Sequence, residues 1–166
     1  MPEARALEDA LADATVERSV FELRPDYRAV LLAIDGLVSG AGAEASEELL
    51  QRAEAHARDL LADGPVEDLP HVAAWREAYR AFGAKPQRTR NSLEALLRRA
   101  PAGLPRVNPL TDIYNAISVL HQIPLGGEDL TRYVGAPRLV RAAGDEAFET
   151  MADGEAIIER DRKSVV

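Results

Sequence analysis

Apolar residues recur along this chain at two spacings. Between Ala45 and Leu61, the residues Leu49, Leu50, Ala53, Ala57, Leu60 and Leu61 sit at helical intervals with charges between them, which predicts an amphipathic helix ended by Ala62–Pro65. Residues 69–86 repeat the pattern with Val72, Trp75, Tyr79 and Phe82 on one face, and Gly83 and Pro86 stop the helix. In "NSLEALLRRA", Leu93, Leu96, Leu97 and Ala100 face inward. Asn91 is a good N-cap, and Glu94 three residues later completes a capping-box pattern. A last helix opens at Asn108, with Pro109 in the first helical position.

The other spacing is extended. "TVERSVFEL" (15–23) and "YRAVLLAIDGLV" (27–38) predict two strands joined by a turn at Arg24–Asp26, the second apolar enough to be covered on both faces. Residues 39–43, "SGAGA", form a flexible connection. Beyond Gly127, "RLVRAA", "EAIIER" and "SVV" predict short strands, with "DRK" as a hairpin turn. Ala156–Glu159 and Ser164–Val166 are expected to pair as a hairpin added to the main sheet, and its apolar edge is a candidate homodimer contact. The order strand, strand, helices, strands predicts an α+β fold, with a mixed or antiparallel sheet packed against several helices, in a single domain over residues 1–166.

Composition narrows the function. The longest apolar run, Ala29–Ile34, is six residues, far short of a membrane span. The acidic start "MPEARALEDALAD" lacks an apolar signal core, so a cytoplasmic protein is expected. Cysteine is absent, which excludes disulfides, thiolate nucleophiles and zinc–thiolate sites. His56, His71 and His121 stand in no metal-ligand spacing, and no dinucleotide fingerprint, P-loop or nucleophile elbow is present, so no metal or other cofactor is expected. A Ser118–His121 nucleophile pair is conceivable, but residues on adjacent turns of one helix seldom aim at a shared substrate.

The net charge of −8 argues against strong phosphate binding until it is divided. Residues 76–106 carry +6 and the rest of the chain −14. Within that basic segment Lys85, Arg88, Arg90, Arg98 and Arg99 are candidates to contact an anionic partner. In the last helix, Asp112, Asn115 and Ser118 recur at i, i+3, i+6 beside Ile113, Ile117 and Leu120. Short polar side chains solvate a surface poorly, but they make fixed hydrogen bonds to backbone or to a small ligand. Both readings stand: a structural buttress, or one wall of a pocket closed by Pro124, Gly126 and Gly127.

Two stretches, "WREAYRAFGAKPQRTRNSLEALLRRA" and "LPRVNPLTDIYNAISVLHQIPLGGEDL", carry a resemblance. The chain resembles the tRNA-binding, B-three/B-four domain of the phenylalanyl-tRNA synthetase beta chain, and more closely the free-standing proteins built from that domain alone. The similarity runs from Trp75 to Leu130. Its most specific part is Asp-x-x-Asn followed by Pro-Leu-x-x-x-Asp, here Asp112, Asn115, Pro124, Leu125 and Asp129. The resemblance implies the synthetase editing-domain fold, tRNA or aminoacyl-tRNA as partner, and hydrolysis of mischarged tRNA in trans as a candidate activity. It implies a pocket for the amino acid or aminoacyl moiety at Asp112, Asn115, Ser118, Gly126, Gly127 and Asp129. It also implies that family members continue past Val166. The synthetase has a histidine after Pro-Leu where this chain has Gly126. A non-catalytic module binding an amino acid or a nucleotide on the same fold is the alternative.

Overall fold

The computed structural model describes residues 11–38, 40, 42–132, 135–143, 147–152 and 155–160. Along the chain run β1 (Thr15–Val16), α1 (Arg18–Leu23), α2 (Ala43–Leu60), α3 (Pro70–Ala81), α4 (Ser92–Arg99), α5 (Pro109–His121), β2 (Arg138–Leu139), β3 (Ala147–Ala152) and β4 (Glu155–Arg160). Single 3-10 turns occur at Val66–Asp68, Ala100–Ala102 and Leu130–Arg132. The chain divides into two compact units, one of residues 36–79 and 85–130, the other of residues 1–35, 80–84 and 131–166.

The first unit is helical. Its core gathers Leu50, Ala53 and Ala57 from α2, Val72 from α3, Leu93, Leu96 and Leu97 from α4, and Ala116 and Val119 from α5. Val66, Ala100 and Leu104 close it. Leu50, Val72, Leu93, Leu97 and Val119 are fully buried, and each such side chain contributes roughly 1.5–3 kcal/mol. The α2–α5 contact is the most extensive between helices. Ala53, Ala57 and Ala116, all fully buried, let the backbones approach closely there.

Local chemistry sets the helix ends. Asn91 Oδ1 accepts the Glu94 N–H at 2.8 Å, so half of the predicted capping box forms. The Glu94 carboxylate instead receives the guanidiniums of Arg76 and Arg98. Asn108 Oδ1 accepts the Thr111 N–H at 2.9 Å, with Pro109 next. At its C-terminal end α5 finishes on Gln122 in the left-handed region, φ 54°, and Ile123 N–H donates back to the Ser118 carbonyl at 3.1 Å. Gln122 is the non-glycine residue with positive φ among those described, and its buried Oε1 has no hydrogen-bond partner there.

The second unit departs from the predicted sheet. β1 and β2 pair in parallel, with Thr15 opposite Arg138, and β3 and β4 pair antiparallel, with Ala147 opposite Arg160. Among the described residues these are two two-stranded ladders, not the one mixed or antiparallel sheet that the sequence predicts. The strand predicted over 15–23 stops after Val16, and Arg18–Leu23 is helical. Val16, Val20 and Leu23 already follow helical spacing, and Arg18 Nε pairs with Glu22 Oε1 one turn on, at 3.0 Å. The strand predicted over 27–38 does not form, and no described strand pairs with it. Val30, Leu32 and Val38 are exposed. An apolar run becomes a strand only where another strand takes up its backbone groups. The expected strand Ala156–Glu159 lies in β4, whose described partner is β3. Ser164–Val166, and with them the edge expected to form a homodimer, lie outside the described residues.

Candidate nucleic-acid interface

Glu94 organises the cations of the helical unit. It lies on α4 with its side chain only 1% exposed. Arg76 Nη1 from α3 donates to its Oε1 at 2.8 Å, and Arg98 donates through Nε at 3.0 Å. Arg90 Nε stands 3.6 Å from the same oxygen. Arg76 is nearly buried, whereas Arg90 and Arg98 remain 43% and 37% exposed. Three guanidiniums therefore converge on one fixed carboxylate, and two keep donor edges toward solvent.

A second carboxylate joins at the rim. Arg98 Nη2 donates to Glu67 Oε2, from the Val66–Asp68 turn, at 2.6 Å. The backbone amide of Glu67 and the Arg98 charge hold that carboxyl below its usual range. A shallow open depression lies here, lined by Leu61, Gly64, Pro65, Val66, Glu67 and Arg98. Arg76, Arg90 and Arg98 against Glu67 and Glu94 leave one net positive charge before Lys85, Arg88 and Arg99 are added. These three are exposed, Arg99 at the end of α4 and the other two on a turn. That turn is closed by Arg88 and Thr89 N–H groups donating to the Lys85 carbonyl at 2.8 and 2.9 Å.

Arg106, though part of the basic segment, has a different task. Its guanidinium donates to Glu47 Oε1 at 2.8 Å, to Glu47 Oε2 at 3.1 Å and also to Glu54 Oε1, while Glu54 Oε1 accepts the Leu104 N–H at 2.8 Å. The clamp fastens residues 104–106 to α2. Arg106 hydrogen bonding, helped by Gln51, lowers the Glu47 carboxyl to about 2. Burial opposes ionisation of Glu54, but the Arg106 and Leu104 hydrogen bonds outweigh it and keep that carboxyl below its ordinary value.

The polar stripe of α5 is turned inward. Asp112, Asn115 and Ser118 are 6%, 8% and 0% exposed. Asp112 Oδ1 accepts the Val107 N–H at 2.8 Å, and Ser118 Oγ donates to the Ile123 carbonyl at 2.6 Å. Two of the three side chains thus tie down the chain entering and leaving the helix. The Ser118 hydroxyl is directed at that carbonyl, while His121 is exposed. Gly126, Gly127 and Asp129 follow on an exposed segment. A Cβ on Gly127 would stand 3.5 Å from Tyr114 Cε1, and one on Gly126 would meet open space. The depression described above adjoins Arg98 rather than this stripe.

Comparison with known proteins adds one finding to this geometry. The profile of the B3/4 domain, the domain family of the phenylalanyl-tRNA synthetase beta chain, matches residues 74–166, more than half of the chain. The chain belongs to the B3/4 domain family. No curated protein and no solved structure gave a significant match. The B3/4 match contains α4, α5 and every residue predicted from sequence for the pocket and for tRNA. It begins after α2 and after Glu67, although both contribute to the same helical unit. Among the described residues, no helix is long and apolar enough to cross a membrane, and no three His, Asp or Glu side chains gather as a metal site would require.

Sequence reasoning missed Glu94 as the hub and Glu67 and Arg76 as its neighbours. One signal was available: Arg90 and Arg98 stand four residues either side of Glu94, the spacing of neighbours on a helix face. Glu67 and Arg76 left none, because they come from other elements.

Proposed function

We propose that this B3/4 protein is a tRNA-binding module whose contact surface is Lys85, Arg88, Arg90, Arg98 and Arg99. One observation carries the reading: within the family-matched segment, the buried Glu94 carboxylate hydrogen-bonds Arg98 and lies 3.6 Å from Arg90, and both guanidiniums stay partly exposed. Pre-fixed guanidiniums suit phosphate oxygens, because their forked donors match them and less side-chain freedom is lost on binding. The acidic remainder of the chain keeps the contact weak and sensitive to salt. Labelled tRNA titrated at about 50 and 200 mM salt tests this: binding at the lower salt that collapses at the higher supports it, and no binding at the lower overturns it.

The finer reading places the amino-acid end of an aminoacyl-tRNA at Asn115, Gly126, Gly127 and Asp129, with Asp112 and Ser118 holding that end of the fold in place. Asn115 and the glycine backbone would position water for ester hydrolysis, and Asp129 would pair with the substrate ammonium. Incubation with a panel of mischarged tRNAs tests it. Accelerated release of the amino acid that is lost in Asn115→Ala supports hydrolysis, and release at the uncatalysed rate for every tRNA leaves binding alone as the function.

A further inference from the structure

We propose that Arg98 is a phosphate-binding subsite at the edge of the Leu61–Val66 depression, masked in the free protein by Glu67. The inference rests on the tRNA-binding reading and adds to it a residue that opposes the ligand. Arg98 meets two carboxylates of different character. Glu94 is 1% exposed, capped at its backbone by Asn91 and shared with Arg76 and Arg90, so it cannot leave. Glu67 sits on a single 3-10 turn, 40% exposed, and bonds Arg98 Nη2 at 2.6 Å.

An incoming phosphate therefore competes with Glu67 and not with Glu94. The held Glu94 side keeps the guanidinium aimed outward while Glu67 is displaced. Leu61, Gly64, Pro65 and Val66 beside it leave open space for the displacing group. A backbone phosphodiester matches a carboxylate in charge and in charged acceptor oxygens, and free phosphate exceeds it, so either can replace Glu67 on the forked donors, whereas a neutral ligand cannot. The chemistry is shared by an RNA backbone phosphate and a free phosphate.

The test uses the native protein, Glu67→Gln, Arg98→Gln, the double variant, and Glu48→Gln as a control for loss of an exposed negative charge on α2. Each is titrated with labelled tRNA between about 50 and 200 mM salt and, separately, with inorganic phosphate by calorimetry. Glu67→Gln should tighten binding roughly threefold and steepen the salt slope by about one phosphate contact, more than Glu48→Gln does. In the Arg98→Gln background the same change should have no effect, because its target is gone. A gain with tRNA alone identifies a backbone phosphate, and a gain with inorganic phosphate identifies a small ligand; either supports the masked subsite. Equal gains with and without Arg98, or no gain with either probe, overturn it. Native protein that binds tRNA while Glu67→Gln changes nothing sinks this inference alone. If the native protein ignores tRNA, the tRNA-binding reading fails, and a Glu67→Gln gain with inorganic phosphate would still uphold the subsite.

Discussion

Glu94→Gln removes one charge from the point where three guanidiniums meet. The Arg76 pair is the costly loss, because its two side chains are 11% and 1% exposed. At roughly 4 Å and an effective dielectric of about 20, such a pair is worth about 4 kcal/mol of Coulomb energy. The glutamine oxygen can still accept one neutral hydrogen bond and recovers about 1 kcal/mol. Arg98 and Arg90, partly solvated, add at most about 1 kcal/mol each after screening. The expected loss is therefore about 3–5 kcal/mol, the range for stripping one partner from a buried pair. Against a total stability of roughly 5–15 kcal/mol that is a large share. Urea unfolding of the native protein, Glu94→Gln and Arg90→Gln checks it. Arg90→Gln, acting on the 3.6 Å partner, should cost less than about 0.5 kcal/mol. If Glu94→Gln costs under about 1 kcal/mol, no more than Arg90→Gln, the carboxylate is not the anchor described here.

Ser118→Ala should lower stability by about 1 kcal/mol in the same assay, since it removes the Ser118–Ile123 bond from a fully buried site; no change would show that water replaces the hydroxyl. Gln122→Gly should raise stability by about 0.5 kcal/mol, because glycine adopts the left-handed conformation without strain and the unpartnered Oε1 disappears. A drop in the urea midpoint would count against that account. Glu47 has its carboxyl depressed on folding, from 4.5 to about 2, so its stabilisation is complete above about pH 4.5 and fades as pH falls toward 2. Arg106→Gln should therefore lie below the native protein at pH 7, and the gap should close through that acid window; a gap that widens on acidification would contradict the clamp.

The helices were legible where the deciding forces are local. Asn91 and Asn108 cap as their spacing predicts, and the apolar intervals of residues 45–61 mark the α2 residues that enter the core. The strands were not, because a strand is settled by its partner. The most apolar stretch, 27–38, is unpaired by any described strand, whereas the unremarkable Thr15–Val16 finds Arg138–Leu139 far along the chain. Residues 18–23 were misread because β-branched and aromatic side chains outweighed a helical spacing only six residues long. In the site, the basic segment and the polar stripe were visible as patterns. Their disposition was not: Arg76 reaches Glu94 across 18 positions and Arg98 reaches Glu67 across 31. Spacing links Arg98 to Glu94 four residues away, but nothing in it shows that Arg106 clamps α2.

How steeply tRNA affinity falls with salt decides whether the basic face of the helical unit meets phosphate. Native protein and Arg88→Gln/Arg90→Gln are titrated with the same labelled tRNA between about 50 and 200 mM salt. Native binding should be measurable with a slope of about three to five phosphate contacts, and the slope should be lower by about one to two in the double variant. Absence of native binding at about 50 mM salt, or identical slopes for the two proteins, would contradict phosphate contact there.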